Sequence, residues 1–339
     1  MDIEEKLGLI KRNTEEILTE QELKELLEKK KKPVVYWGTA PTGKPHVGYF
    51  FPMLKVADLL KAGFKVKILL ADLHAALDNV PWPVLEKRYE YYSKIIPLLI
   101  EAIGVQIKDL EIVRGSDFQL KAEYMYDVLR LSSFVSVRNA RKAASEVVKQ
   151  GKNPKTSGLI YPLMQVIDEI YLKADAQLGG TDQRKIMVLA RENLPKLGYK
   201  ERVEIINPLI PGLIGKKMSS SIEESKIDLL DNEEDVERKL KKAEMVIGNT
   251  NNGVMAFLKY VIFTIKKDKK EKFIVKRDKK YGGDVEYENY EEIEKDYKEK
   301  KLHPLDIKNA VAKEINKLLA IFRKNKKVLE KLAREAYSV

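Results

Sequence analysis

The sequence predicts an α/β fold in which a parallel sheet is followed by a smaller, all-helical domain. Over the first ~200 residues, short apolar runs alternate with amphipathic helical patterns, as is typical of βαβ units. After residue 221 strand signals nearly disappear and the pattern becomes helical and highly charged. The length agrees with this division, because 339 residues exceed one typical domain.

The strands and helices follow from the period of the apolar residues. Apolar positions from Val47 to Leu60 repeat at helical spacing, and Gly63 marks the end of that helix. Strands are predicted at residues 34–37, 66–71, 111–113, 176–178 and 203–206. Further helices are predicted at residues 83–103, at 119–150 (two helices), and at 157–173, 231–243, 251–265 and 303–337.

These elements divide the chain into three parts. A helical segment covers residues 1–30, the sheet domain covers residues 31–229, and the helical domain covers residues 230–339. The sheet domain includes the connecting helices at about 119–150 and a loop at 212–225 that is rich in glycine and lysine.

Composition excludes several classes of site. The chain has no cysteine, which rules out disulfides, thiolate metal sites and cysteine nucleophiles. Its three histidines are scattered, so we expect no metal site. No apolar run approaches the ~18 residues of a membrane helix, and the start of the chain is too charged for a signal peptide. We therefore expect a cytoplasmic protein without a membrane partner.

The net charge of +11 indicates a polyanionic partner. A surface rich in lysine and glutamate, as in heat-adapted proteins, would give the same composition. Charge alone leaves both interpretations open.

Residues 41–48, PTGKPHVG, follow the first predicted strand and precede an amphipathic helix. Unpaired N–H groups at a helix N-terminus favour anions, and Pro45 suits the first turn. His46 can donate to a phosphate, Thr42 adds a hydroxyl, and Gly48 leaves room for a flat ring. An ordinary polar turn with a capping role would explain the same residues.

The loop at residues 212–221, GLIGKKMSSS, is a second candidate phosphate site. Its spacing differs from that of a Walker loop, but it combines glycines with lysine and hydroxyl donors. A mobile lysine loop can stabilise pyrophosphate as it leaves. A solvated linker with a capping serine is the alternative.

Together the two strings resemble the signature motifs of class I aminoacyl-tRNA synthetases. Residues 46–49 (HVGY) are similar to the HIGH motif, and residues 217–221 (KMSSS) to the KMSKS motif. The two departures, Tyr49 for the second histidine and serine for the second lysine, resemble the archaeal and eukaryotic tyrosyl branch. The resemblance implies a Rossmann-like catalytic domain that takes ATP, with catalytic contacts from His46, Thr42 and Lys217. It assigns ATP binding to Gly38, Thr42, His46, Gly48, Lys217, Met218, Ser219, Ser220 and Ser221.

The predicted helix at 157–173 is largely apolar but carries one polar stripe. Tyr161, Gln165 and Asp168 are spaced i, i+4 and i+7, so they point within about 60° of one another. A phenol, an amide and a carboxylate suit a ligand with an ammonium group at one end and a hydroxyl at the other. An exposed polar face is the alternative.

This helix is similar to the tyrosine-binding helix of tyrosyl-tRNA synthetases, and the segments VVYWG, ADLHA and GGTDQRK agree. The resemblance implies that Tyr36 and Asp168 bind the substrate phenol. Such a site would reject phenylalanine, which would strand the polar groups of the pocket. The substrate amino group would lie against Tyr161, Gln165 and Gln183, with His74 in the same pocket.

Residues 265–280 are strongly basic and suit RNA phosphates, although a solvated lysine face is the alternative. The strings KYGGD, with Tyr281, and LHPLD, with Asp306, resemble anticodon-reading segments of archaeal and eukaryotic tyrosyl-tRNA synthetases. There the aromatic ring stacks on the first anticodon base and the aspartate reads it as guanine. Considered alone, LHPLD would mark a helix start. Arg184 and Lys185 would reach the acceptor stem.

The resemblance covers residues 5–336 and implies a tyrosine–tRNA ligase. Its substrates would be tyrosine, ATP and tRNA(Tyr), with Mg²⁺ that has no dedicated protein site. It also implies a homodimer with its contact in the helices at about 119–150.

Two alternatives remain open. The first is a tryptophanyl-tRNA synthetase, which shares the fold, although Asp168 with Tyr36 favours a phenol over an indole. The second is a non-catalytic RNA-binding protein of the same fold, against which the intact His46, Gly48 and Lys217 argue.

Overall fold

Six strands form the main sheet of the computed structural model, which describes residues 1–105, 107–148, 153–212 and 226–338. They are β1 (Glu16–Leu18), β2 (Val34–Thr39), β3 (Lys65–Leu70), β4 (Leu110–Arg114), β5 (Ala176–Gly180) and β6 (Val203–Asn207). Their order is β1-β6-β5-β2-β3-β4. β1 is antiparallel to β6, and the other neighbours are parallel. All five predicted strands are confirmed.

Helices pack on this sheet. They are α1 (Ile3–Lys11), α2 (Glu20–Lys29), α3 (Phe50–Lys61), α4 (Asp72–Leu77), α5 (Leu85–Ala102), α6 (Ser116–Gln119), α7 (Ala122–Ser132), α8 (Val137–Ala144), α9 (Ser157–Tyr171) and α10 (Arg184–Asn193). Side chains alternate along β2: Val35 and Trp37 join a large core with α3 and α5, whereas Tyr36 packs with Leu172, at the end of α9, on the opposite side. The polar phenol of Tyr36 therefore points towards α9.

The sheet has a switch point at β2. Its neighbours β3 and β5 lie on opposite sides, so the loops that follow β2 and β5 diverge at the carboxyl edge of the sheet. Ligands of open parallel sheets bind in the crevice at such a point. The loop after β2 contains residues 41–46, and the turn after β5 contains Gln183.

The predicted helical segment at residues 1–30 also contains strand β1. Glu16, Ile17 and Leu18 pair with β6 and extend the sheet by one antiparallel edge. The sequence does not reveal this strand because three residues between two helices are too short for a periodic signal. The N-terminal segment thus supplies one strand of the main sheet.

The C-terminal region is helical, as predicted, but it also holds a two-stranded antiparallel ribbon, β7 (Phe273–Val275) with β8 (Val285–Tyr287). The lysine-rich flanks hide these three-residue strands in the sequence. The long pattern at 303–337 divides into two helices at Asn325. The helices are α11 (Glu233–Lys242), α12 (Gly253–Phe257), α13 (Phe263–Lys269), α14 (Tyr290–Lys298), α15 (Pro304–Lys324) and α16 (Lys326–Tyr337).

One apolar core joins the C-terminal helices to the sheet domain. Phe322 of α15 meets Phe50 of α3 edge to face, with ring centroids 6.3 Å apart. Arg12 also links the two regions, because it pairs with both Asp58 of α3 and Asp268 of α13. The boundary at about residue 230 stays a prediction. Across the part of the chain that the structure describes, every helix is too short or too polar to cross a lipid bilayer.

Candidate active site

A cavity of about 510 Å³ opens at the carboxyl ends of β2 and β5. It lies at the switch point of the sheet, where the fold leaves room between diverging loops. The sequence-predicted residues that line it are Tyr36, Gly38, Thr42, His46, Gly48, His74, Tyr161, Gln165, Asp168 and Gln183. The predicted contacts Lys217, Met218, Ser219, Ser220 and Ser221 lie outside the described residues.

Asp168 is held rigidly at the inner end of the cavity. Its side chain is only 1% exposed, and its Oδ1 accepts hydrogen bonds from Gln119 Nε2 (2.7 Å) and the Tyr124 hydroxyl (2.8 Å). Burial raises the pKa of Asp168 to about 7, against the opposing effect of these two hydrogen bonds. The second carboxylate oxygen, Oδ2, lies 3.6 Å from His74 Nε2.

Tyr36 and His74 complete this end of the cavity as neutral groups. Burial keeps the pKa of Tyr36 well above its usual value, so the phenol retains its proton. Burial also lowers the pKa of His74 to about 4, so the ring is uncharged near neutral pH. The Tyr36 hydroxyl is buried and has no hydrogen-bond partner among the described residues. Because a buried unpaired hydroxyl costs about 1–3 kcal/mol, this donor is set for a ligand.

The opposite end of the polar stripe carries amides and carboxylates. Gln165 Nε2 donates to Gln183 Oε1 (2.9 Å), which joins α9 to the turn after β5. Asp78 and Asp182 also line the cavity. Burial, and after it the charges of these two carboxylates, raises the pKa of the Tyr161 phenol. Two carboxylates beside two amides suit a substrate ammonium group.

His46 is the N-cap of the helical segment that begins at Val47, and it lines the cavity. Its Nδ1 accepts a hydrogen bond from the Gly48 N–H (3.1 Å), so a neutral ring carries its proton on Nε2. His46 also forms a β-bridge with Asp228, and Val47 N–H donates to the Ile227 carbonyl (3.0 Å). Residues 227 and 228 therefore pair with the segment that carries the first signature string.

Tyr49, the departure from the first motif, belongs to the scaffold of this site. Its hydroxyl lies 3.2 Å from Thr39 Oγ1 and 3.1 Å from the Tyr92 hydroxyl. Its ring meets His46 edge to face, with centroids 5.6 Å apart. The phenol thus connects the end of β2 to α5.

The four candidate RNA contacts do not line the cavity. Arg184 forms an exposed two-point ion pair with Glu16 (2.6 and 2.8 Å), and Lys185 pairs with Glu146 (2.6 Å). Both residues start α10, close to Gln183 in the chain. They are surface cations beside the mouth of the site.

Tyr281 and Asp306 belong to neighbouring surface segments. Tyr281 is 64% exposed, and Lys280 Nζ lies 4.8 Å from its ring centroid. Asp306 is in the first turn of α15, whose N-cap is His303. Arg277 ties the segments together, because it donates to the carbonyls of Gly283 and Lys301 (3.0 Å each). The helix start that LHPLD indicates is confirmed.

Sequence analysis missed two residues that hold Asp168 from behind and two that line the cavity. Gln119 and Tyr124 hold Asp168 from 49 and 44 positions away, which no local pattern could reveal. Asp182 stands next to Gln183 and Asp78 follows His74 by one helical turn, so proximity in the chain was an available signal for both.

Comparison with known proteins gives the family. Residues 28–320 match the model of the tRNA synthetases class I (W and Y). The cytoplasmic tyrosine–tRNA ligase of Danio rerio is 53% identical over 98% of this chain, which spans 63% of the length of that relative. The corresponding protein of Saccharomyces cerevisiae is 47% identical, with 100% of this chain and 89% of the relative covered.

Solved structures agree in fold. A tyrosyl-tRNA synthetase of Archaeoglobus fulgidus, complexed with L-tyrosine, has a TM-score of 0.88 at 43% identity and covers 95% of this chain and 99% of its own. A tryptophanyl-tRNA synthetase of Aeropyrum pernix K1 has a TM-score of 0.74 at 19% identity, which indicates a common fold alone, with 99% of this chain and 90% of its own covered. The chain therefore belongs to the class I tRNA synthetases of the tryptophan and tyrosine family, in the tyrosyl branch with archaeal and eukaryotic members.

Proposed function

We propose that this protein is a tyrosine–tRNA ligase. It activates tyrosine with ATP to tyrosyl-adenylate and pyrophosphate, and then transfers the tyrosyl group to the 3′ end of tRNA(Tyr). The observation that carries this proposal is the pairing of a buried acceptor, Asp168, with a buried and unpartnered donor, Tyr36. A phenol can donate to the carboxylate and accept from the hydroxyl at once.

The same pair argues against tryptophan as the substrate. An indole N–H is a donor only, so it could bond to Asp168 but would leave the Tyr36 hydroxyl unpaired. Phenylalanine would leave both groups unpaired in a dry site. Each stranded group costs about 1–3 kcal/mol, more for a charged one, so tyrosine is the aromatic amino acid that fits.

The amino group of tyrosine lies at the other end of the polar stripe. Tyr161, Gln165 and Gln183 bind it, and the charges of Asp78 and Asp182 stabilise its positive charge. His74 packs edge to face on the Tyr161 ring, with centroids 4.6 Å apart, and holds that wall of the pocket. The substrate carboxylate then faces the nucleotide side.

In the first step the tyrosine carboxylate attacks the α-phosphorus of ATP, a C–O–P linkage forms, and pyrophosphate leaves. The Nε2 proton of His46 and the Thr42 hydroxyl donate to the phosphates, and Lys217 supplies charge from the second string. Gly38 and Gly48 lie along the nucleotide. No covalent enzyme intermediate is needed, since positioning and charge stabilisation lower the barrier.

Mg²⁺ enters this proposal only as a companion of the ATP phosphates. Within the described ranges no group of three or more carboxylate, histidine or cysteine side chains could hold a metal ion.

In the second step a hydroxyl of the 3′-terminal ribose attacks the adenylate carbonyl and AMP leaves. Arg184 and Lys185 bind the acceptor stem near the mouth of the cavity. Tyr281 stacks on the first anticodon base, and Asp306 accepts from its guanine edge. The Arg277 bridge between these two segments supports a single reading surface.

We further propose a homodimer that forms through the region around α7 and α8. Large apolar side chains are exposed there, which is unusual for a surface that faces only water. Sedimentation equilibrium tests this, since Val137→Lys should shift the dimer towards monomer. The exposed side chains are Leu120, Met125, Tyr126, Leu129, Phe134 and Val137.

We place the protein in the cytoplasm, because the Danio rerio and Saccharomyces cerevisiae relatives carry that location in their names. Fractionation of cells that produce the tagged protein tests this location.

ATP–pyrophosphate exchange tests the activity. We expect exchange with tyrosine and, at equal concentration, much slower exchange with tryptophan or phenylalanine. Exchange that prefers tryptophan would assign the chain to the other branch. Absence of exchange with every amino acid, together with intact tRNA binding, would favour the non-catalytic alternative.

A further inference from the structure

Hydrogen bonds from two helices hold the backbone carbonyls of the loop at residues 41–45 on the side away from the cavity. The Gly43 carbonyl accepts hydrogen bonds from two phenol hydroxyls, those of Tyr92 in α5 (2.6 Å) and Tyr337 in α16 (3.0 Å). Thr42 and His46, on either side of Gly43, line the cavity. One carbonyl between two site residues is thus fixed by two different helices.

Arg88 of α5 fixes the neighbouring carbonyls. Its guanidinium donates to the Thr42 carbonyl (2.5 Å) and the Pro41 carbonyl (3.4 Å), and its Nε donates to the Ala336 carbonyl (3.2 Å). The same group lies 4.7 Å from the centroid of the Tyr337 ring. Arg88 therefore joins the loop to α16.

The hydrogen bonds form a directed chain back to β2. Tyr92 gives its only hydroxyl proton to Gly43, so it accepts from Tyr49, which in turn accepts from Thr39. This chain fixes both ends of the loop, at Thr39 before it and at Tyr49 after it. Among the described residues, the hydrogen bond to Gly43 from the C-terminal region comes from Tyr337.

We propose that Tyr337 and Arg88 are positioning residues for the ATP subsite. They turn the carbonyls of residues 41–43 away from the cavity, so that the Thr42 side chain and the helix N-terminus at His46 face the phosphates. A carbonyl oxygen that turned inward would repel a phosphate, and a loose loop would require ordering when ATP binds. This inference rests on the proposed function for the identity of the ligand.

Simple packing of α16 on α5 is the competing explanation. The Tyr337 ring meets the Tyr91 ring edge to face, with centroids 5.8 Å apart, and would stabilise the helix pair without any effect on ATP. The two explanations differ in what the hydroxyl does. Packing needs only the ring, whereas positioning needs the bond to Gly43.

The test compares Tyr337→Phe with Tyr297→Phe in the full chain. Tyr297 is a matched control, because its hydroxyl also donates to a backbone carbonyl, that of Val246 (2.8 Å), away from the cavity. Steady-state pyrophosphate exchange gives KM for ATP and for tyrosine separately. Hydrogen–deuterium exchange of the amides at 41–48 measures loop order without catalysis.

For Tyr337→Phe we expect KM for ATP to rise about threefold to tenfold, with KM for tyrosine and kcat within about twofold of the parent. The amides at 41–48 should exchange faster, and Arg88→Lys should act in the same direction. Tyr297→Phe should change none of these.

An unchanged KM for ATP with unchanged amide exchange would overturn the proposal, as would an equal rise of both KM values. Failure of the proposed function would look different, with no tyrosine-dependent exchange in the parent or in any variant. The amide exchange would then decide by itself whether the Tyr337 hydroxyl orders the loop.

Discussion

The inner end of the cavity and the proposed RNA surface differ in how far their polar groups are buried. Asp168 is 1% exposed and accepts hydrogen bonds from two buried donors. On the RNA surface Tyr281 is 64% exposed, and Arg184 forms a solvent-exposed ion pair with Glu16. In the first region Asp168 is held by two hydrogen bonds before the ligand arrives, and a ligand without a phenol hydroxyl would leave a buried polar group unpaired. In the second region each contact replaces water or an existing ion pair. Loss of one group should therefore cost much more in the cavity than on the surface.

Asp168→Asn should give the largest effect. The amide keeps the size of the side chain and an acceptor oxygen, but it loses the charge that receives the substrate phenol. We expect the ratio of kcat/KM for tyrosine over phenylalanine to fall about 10- to 100-fold. Pyrophosphate exchange with each amino acid measures this ratio.

Asp127→Asn is the matched control for that variant. Asp127 is also buried and accepts from two phenols, Tyr199 (2.6 Å) and Tyr171 (3.2 Å), but it does not line the cavity. It should lower stability and leave the ratio unchanged. Equal loss of activity with both amino acids in Asp168→Asn would remove the proposed role.

The pH dependence of tyrosine binding should follow Asp168. Its pKa is raised to about 7, and the ionised carboxylate is a stronger acceptor for the substrate phenol than the protonated acid. KM for tyrosine should therefore fall as pH rises from about 6 to 8, by at most about tenfold per unit below the pKa. His74, with a pKa of about 4, stays neutral over this range, while the pKa of the adjacent Glu169 is raised by burial to about 8.

Kinetics of the parent and of Asp168→Asn between about pH 5.5 and 8.5 test this assignment. The variant should lose the titration because its amide does not ionise. A profile that persists in the variant would assign the titration to another group, with Glu169 the first candidate.

Residues that share one helix or one strand end were predictable from the sequence. The polar stripe on α9 was predictable, because a period of 3.6 residues determines which side chains share one face of a helix, whatever packs against that face. The neighbourhood of β2, which carries Tyr36, and β5, which precedes Gln183, was also predictable, because βαβ alternation brings the carboxyl ends of parallel strands to one edge.

Partners brought together only by tertiary packing were not predictable. The bonds of Gln119 and Tyr124 to Asp168, and of Tyr337 to Gly43 over 294 positions, depend on how helices pack and leave no periodic trace. The short strands β1 and β7 also escaped prediction, because they are stabilised by their neighbours rather than by their own pattern.

On the RNA surface Asp306→Ala should have a moderate effect. Loss of one carboxylate that reads a base should slow tRNA charging about tenfold and leave pyrophosphate exchange intact. It should also reduce discrimination against a tRNA whose first anticodon base is not guanine. Glu330→Ala, an exposed acid on α16, is the control. Equal loss in both steps would make Asp306 a structural residue of the helix start.

Substitutions in the exposed ion pair between Arg184 and Glu16 should change tRNA binding the least. The two partners should, however, change it in opposite directions. If Arg184 binds the acceptor stem, Arg184→Gln should raise KM for tRNA about threefold and reduce the salt slope of binding by about one. Glu16→Gln should act in the opposite direction, because it frees the guanidinium for RNA. Each variant breaks the same pair and should cost under about 1 kcal/mol of stability. If the pair is purely structural, both variants should change the affinity for tRNA in the same direction. Opposite changes in affinity, measured by filter binding at low salt, would show that Arg184 contacts RNA rather than only supporting the β1 edge.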